Sequence, residues 1–280
     1  ASNTAVGANA LKASTTAVDL TAVGKDALLS VTTGDSNAAF GAYAGDALTT
    51  GANNTALGTG SLGAETTGIS NVAVGYQALL VQAGATGNTA VGKSAGDALT
   101  TGANNTLVGL DAGGALTTGA SNVAIGKDAF LSATTATNDV VIGATAGDAL
   151  TTGADNTAVG FNALGLATTA ANDVAVGSGA LSAVTTGSGN VAVGKDAGNA
   201  LTTGANNVAI GLDALGAETT GIDNIAIGKG ALIVQAGATG NVGIGTDAGN
   251  ALTTGANNIA VGLDALGAET TGINNIAIGK

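Results

Sequence analysis

Apolar residues come in short bursts along the chain, and each burst ends at a glycine. Val, Ile, Leu or Phe stands immediately before that glycine in all seventeen bursts, from Val6 to Ile278. Ala stands one residue earlier in 13 of 16 full repeats, and Thr, Val or Ile usually precedes the Ala. A segment such as NVAIG at 122–126 therefore reads as a short β-strand. The closing glycines run Gly7, Gly24, Gly41 and onward to Gly262 and Gly279, always 17 residues apart, with no insertion or deletion. Positions in a repeat are counted from that glycine, which is position 0.

The remaining columns have a chemistry of their own. Position 3 is Ala in 15 of 16 repeats, Ser61 being the exception. Positions 8 and 9 are Thr-Thr in 14 of 16, interrupted only by Ala83-Gly84 and Ala236-Gly237. Position 13 is Asn in 13 of 16; Leu20, Asp139 and Asp173 depart from it. Helical-hairpin repeats need about 34 residues and helix-forming side chains rather than Gly, Thr and Asn. The pattern predicts an all-β fold, a parallel β-solenoid (β-roll) of sixteen 17-residue coils occupying 1–280 as one continuous domain. Stacked at the ~4.8 Å strand spacing, such coils make a rod on the order of 77 Å long. Like residues then lie above one another. The Asn column is expected to form a ladder of side-chain amides, and the Gly column to take backbone geometry that a Cβ would obstruct.

A longer period is superimposed. AGDALTTGANN begins at Ala44 and Ala95 and, with Asp155 in place of the first Asn, at Ala146; it returns as AGNALTTGANN at Ala197 and Ala248, always 51 residues or three coils on. Most coils carry a large apolar residue at position 4, for example Leu28, Leu62, Leu79 and Phe130. In the AG(D/N)AL coils position 4 is Gly (Gly45, Gly96, Gly147, Gly198, Gly249) and a Leu stands three residues later; Gly113 and Leu116 do the same. Volume lost at one column reappears at the other, which predicts that both border one packed space. Alternation along the strand places Val or Ile on one face and Ala on the other. A stripe of small Ala side chains on the outside would let chains approach closely, and the expectation is self-association.

Composition narrows the chemistry. There are 48 Gly, two Tyr, three Phe and no Pro, Cys, Met, Trp or His. Without His and Cys there is no Ser-His-Asp or Cys-His catalysis, and none of the usual zinc, haem or iron–sulfur ligands. A net charge of −12 argues against nucleic acid as a partner. No run of 18 apolar residues offers a membrane span. Six of seven Lys follow the repeat glycine directly, often with Asp next, and stacking sets Asp196 above Asp213 and Asp247 above Asp264. Calcium is one reading of that edge and a solvated surface the other. The calcium-binding nonapeptide is absent and no coil concentrates carboxylates. No catalytic, cofactor-binding or metal-binding residue is assigned, and the chain is expected not to be an enzyme. The chain begins without Met and stops in mid-pattern at NNIAIGK, as an excerpt of a longer fibrous chain would.

The strings NVAIG at 122–126 and 207–211, NVAVG at 190–194 and NIAIG at 224–228 resemble the head repeats of trimeric autotransporter adhesins of the YadA type. Those heads are left-handed parallel β-rolls that trimerise, with a repeat of about 14 residues around an N-S-V-A-I-G core. The 17-residue repeat and the TTG turn depart from that pattern. The fuller pattern NTAVG…AL…TTG…NN is also similar to repeat tracts of bacteriophage tail-fibre proteins. The resemblance implies a homotrimeric extracellular rod, on a cell surface or in a virion fibre, that carries a receptor-binding tip or adheres multivalently to a surface receptor. An ice-binding solenoid with Thr ladders is the alternative; Thr-Thr there supplies only one outward Thr rank, because neighbouring strand residues point to opposite faces.

Overall fold

The computed structural model describes residues 2–280. All regular structure among them is β, with one three-residue strand per repeat and no helix. The chain divides into two compact units, 1–138 and 139–280. The first holds β1 (Thr4–Val6), β2 (Thr21–Val23), β3 (Ala38–Phe40), β4 (Thr55–Leu57), β5 (Val72–Val74), β6 (Thr89–Val91), β7 (Thr106–Val108) and β8 (Val123–Ile125). The second holds β9 (Val140–Ile142), β10 (Thr157–Val159), β11 (Val174–Val176), β12 (Val191–Val193), β13 (Val208–Ile210), β14 (Ile225–Ile227), β15 (Val242–Ile244), β16 (Ile259–Val261) and β17 (Ile276–Ile278). Within each unit every strand pairs in parallel with the next, and each residue faces its equivalent 17 further on, as Thr89 faces Thr106 and Val191 faces Val208. Each unit is a parallel β-solenoid whose coil is the repeat.

Strands this short cannot hold a coil alone, and the turns between them are hydrogen-bonded from coil to coil as well. Asp26 donates its N–H to the Ala8 carbonyl, Leu28 to Ala44, and Thr32 to Thr49. The path of the turns requires left-handed backbone at positions 2, 4 and 12 of every coil, for example Asp111 (φ 54°), Leu79 (φ 50°) and Asn104 (φ 60°). Positions 2 and 12 are accordingly dominated by Asn, Asp and Gly, the residues that enter this region at least cost. The recurrent Asp behind the repeat glycine is thus set by backbone conformation.

Position 4 is Leu in that same strained region, at about 1–2 kcal/mol per residue. Full burial of the side chain is worth about 1.5–3 kcal/mol and offsets it. Both large-residue columns do fill one space. A Cβ built on Gly45 would stand 3.0 Å from Leu28 Cδ2 of the preceding coil and 3.0 Å from Leu48 Cδ1 of its own. Coil seven breaks the three-coil rule for a local reason. Leu107 occupies position 15, where Ala is usual, and its methyls lie 2.6 and 2.9 Å from the places of a Cβ on Gly96 and Gly113. One oversized residue requires glycine on both sides. Leu48→Ala is expected to cost about 2–5 kcal/mol in denaturant unfolding. Gly45→Leu in that background should recover part of the loss, whereas Gly96→Leu behind Leu99→Ala should recover none, because Leu107 blocks it.

The strand faces correct the sequence reading. Ala at position 15 points inward and is fully buried, as Ala22, Ala73, Ala124 and Ala192 are. Val and Ile at position 16, and Thr, Val or Ile at position 14, point outward. The interior beside the strand is already filled by the Leu of positions 4 and 7, so only a methyl fits there. From β2 to β16 the strand Ala column is therefore part of the core and forms no surface stripe.

The interior also holds the amide ladder. The position-13 Asn residues from Asn37 to Asn258 are buried and donate Nδ2 to the carbonyl 14 residues on, and an Asn such as Asn88 accepts the backbone N–H of its equivalent in the next coil. Asn105 illustrates it: Nδ2 reaches Gly119 O at 3.0 Å and Asn88 Oδ1 at 3.1 Å, and Oδ1 receives Asn122 N–H at 3.0 Å. Every polar atom of that buried side chain is satisfied, which is the condition for its place in a core.

Candidate interaction surface

The outward strand residues form two columns in each unit, and neither contains a charge. Position 16 is Val, Ile, Leu or Phe throughout and position 14 is Thr, Val, Ile or Ala. Phe40 is 42% exposed, Leu57 46% and Val193 38%, on strands whose β-branched residues would ordinarily be buried. In the first unit position 14 is mostly Thr; from β11 onward it is only Val or Ile. A solvent-facing sheet surface normally alternates to polar. Here both flanks of the buried Ala stay uncharged, and from β11 onward both are wholly apolar.

A second surface lies at the Thr-Thr turn. The position-8 hydroxyl is consumed within the chain: Thr100 Oγ1 donates to Thr117 O at 2.9 Å and Thr185 Oγ1 to Thr202 O at 3.1 Å. Position 9 alone faces outward as a single rank, broken at Gly84 and Gly237. These breaks answer to a feature that column reading missed. Glu65, fully buried at position 7, accepts four backbone N–H groups on one oxygen: Thr66 at 2.8, Thr67 at 2.9, Gly68 at 2.6 and Gly84 at 2.8 Å. Gly84 points its N–H there through a left-handed conformation, φ 74°. Glu218 and Gly237 repeat the arrangement 153 residues on. Glu269 collects the same three turn N–H groups, and these hold its carboxyl below the usual range, Gly272 contributing most. The signal in the sequence was a Glu at position 7 of the coil preceding each interruption of Thr-Thr.

The charged edge is exposed on its Lys side and partly buried on its Asp side. Lys127 and Lys195 pair with the Asp beside them, Asp128 and Asp196, and Lys25 lies 3.7 Å from Asp26 and 2.6 Å from the Tyr43 hydroxyl. Partial burial raises the Asp97 carboxyl, with Asp111 in the next coil adding to it. Among the described residues no three Asp or Glu side chains gather where they could hold a metal ion, and no helix is long and apolar enough to cross a membrane. No protein-family model matches the chain, and no curated protein matches it.

Proposed function

We propose that the chain is a non-enzymatic structural segment of an extracellular fibre or adhesin, a spacer whose copies associate, as a homotrimer, along the apolar strand face. The observation that carries this reading is the uninterrupted, charge-free pair of Val/Ile/Thr columns on the outside of each unit. The eight strands of the first unit and the nine of the second each carry both columns without a charge, whereas a standard interface takes about 800 Å² per partner. Exposed apolar patches of this extent mark association surfaces. Near-identical coils repeat the same few groups, whereas a catalytic or small-molecule site needs convergent, dissimilar ones in a concavity. A single outward Thr per coil, interrupted twice in the chain, supports the fibre reading over the ice-binding one.

The test is the mass of the particle in solution. Light scattering should give a multiple of 25.8 kDa, three copies under this proposal. Val193→Asp with Ile210→Asp places two charges on the face and should yield single chains with an unchanged far-ultraviolet β-spectrum. A wild-type protein that stays monomeric at micromolar concentration, or a variant that associates equally well, overturns the proposal.

A further inference from the structure

The Asn ladder carries two carboxyl groups in place of amides, Asp139 and Asp173, both fully buried. Asp173 accepts the Asn190 N–H on Oδ1 at 2.7 Å, as any ladder Asn would. Its other oxygen, Oδ2, is buried and has no partner. That atom stands where Asn carries Nδ2, and the ladder register gives it the carbonyl 14 residues on, that of Gly187, just as Asn156 serves Ala170 and Asn190 serves Gly204. An ionised carboxylate sets an acceptor against an acceptor at that place. A protonated one donates Oδ2–H and reproduces the amide.

We propose that Asp173 is a proton-operated latch of the solenoid: protonated, it closes the ladder onto the Gly187 carbonyl, and ionised, it leaves that coil loosened. The surroundings contain little else that titrates. The following coil, 177–193, has no charged residue, and the preceding one, 143–159, has Asp148 and Asp155. Beyond them Lys195 and Asp196 are paired with each other at the surface. Burial pushes the Asp173 carboxyl up to about 7 against the pull of the Asn190 hydrogen bonds. Asp139, which accepts the Asn156 N–H at 2.8 Å and Nδ2 at 3.0 Å, is pushed up to about 6, with burial the main cause and Asp155 a minor one.

The sign follows from linkage. An acid whose folded-state value is raised binds its proton more tightly when folded, so folding is favoured at low pH. The contribution is complete below the unfolded value near 4 and is lost as pH rises to about 7. Three pH units correspond to about a thousandfold in the folding equilibrium, or a fall in Tm on the order of 10 °C for a chain of this size. The experiment compares wild type with Asp173→Asn in thermal unfolding at pH 5 and pH 8. Asn is the ladder's own residue, so the variant folds, and acids at the surface are common to both proteins and cancel in the difference. Between pH 5, where about a hundredfold of that thousandfold remains, and pH 8, where none does, the stability of the variant relative to wild type should rise by several degrees. Asp139→Asn should show a smaller gap of the same sign. A difference between wild type and Asp173→Asn that does not change with pH, or an Asp173 carboxyl ¹³C resonance that titrates near 4, overturns the latch.

Discussion

Gly92→Ala is expected to unstack the coils around it, at a cost above about 4 kcal/mol, placing it among the most damaging single substitutions. Gly92 sits at position 0 with φ 144°, a conformation that essentially only glycine adopts. Space is refused as well. A Cβ there would lie 2.1 Å from the carbonyl oxygen of Gly109, the equivalent glycine of the next coil, and 2.6 Å from its carbon. Both are backbone atoms held by their own ladder bonds, so no rotamer change relieves the overlap. Gly63→Ala is the control. Its φ is ordinary, and an added Cβ would meet the Gly60 carbonyl oxygen and the flexible tip of Leu80, each at 3.2 Å. It should cost no more than about 1 kcal/mol. In a stack where each coil touches only its neighbours, the Gly92 defect should divide one cooperative transition into two. Equal losses for the two substitutions in denaturant unfolding would refute the claim that position 0 is where successive backbones come closest.

Much of this architecture was readable because stacking turns a period into columns. A 17-residue repeat without insertions must place like on like, and the Gly and Asn columns follow from what backbone approach and a buried amide require. The exchange of Leu48 for Leu28's column was readable for the same reason, since volume is conserved within a layer. The direction of the strand was not. Ala22 and Val23 are both apolar, so alternation alone does not say which is inside; the Leu side chains already filling the interior decide it. The Asp of position 2 carries a charge, and reading the charge hides the left-handed backbone that selects it. Ala83-Gly84 looked like a defect in a Thr rank because its partner, Glu65, lies a coil away.

That partnership yields the second large effect. In a Leu coil the three turn N–H groups converge on one carbonyl of the next coil, as Thr49, Thr50 and Gly51 do on Thr66 O. After Glu65 the next turn is rebuilt, with Gly84 left-handed, and the Glu65 carboxylate oxygen stands in for that carbonyl. Glu65→Val gives the coil the residue that accompanies a position-4 Leu at Val31 and Val184, yet it strands four N–H groups. With about 1–3 kcal/mol for each donor that water cannot reach, the expected loss is at least about 3 kcal/mol. Glu65→Gln keeps a neutral acceptor in place and should lose about half as much, since hydrogen bonds to a charged acceptor are roughly twice as strong. The decisive variant changes the neighbour. Replacing QAGATG at 82–87 by the VTTGSG found at 184–189, which follows a position-4 Leu as this segment does, returns the standard turn and its converging carbonyl. In that background Glu65→Val should become nearly neutral, and the difference between the two backgrounds is the coupling energy of a double-mutant cycle. If Glu65→Val costs the same in both, the carboxylate is not the splice between two kinds of turn, and the interruptions at 83–84 and 236–237 have some other cause.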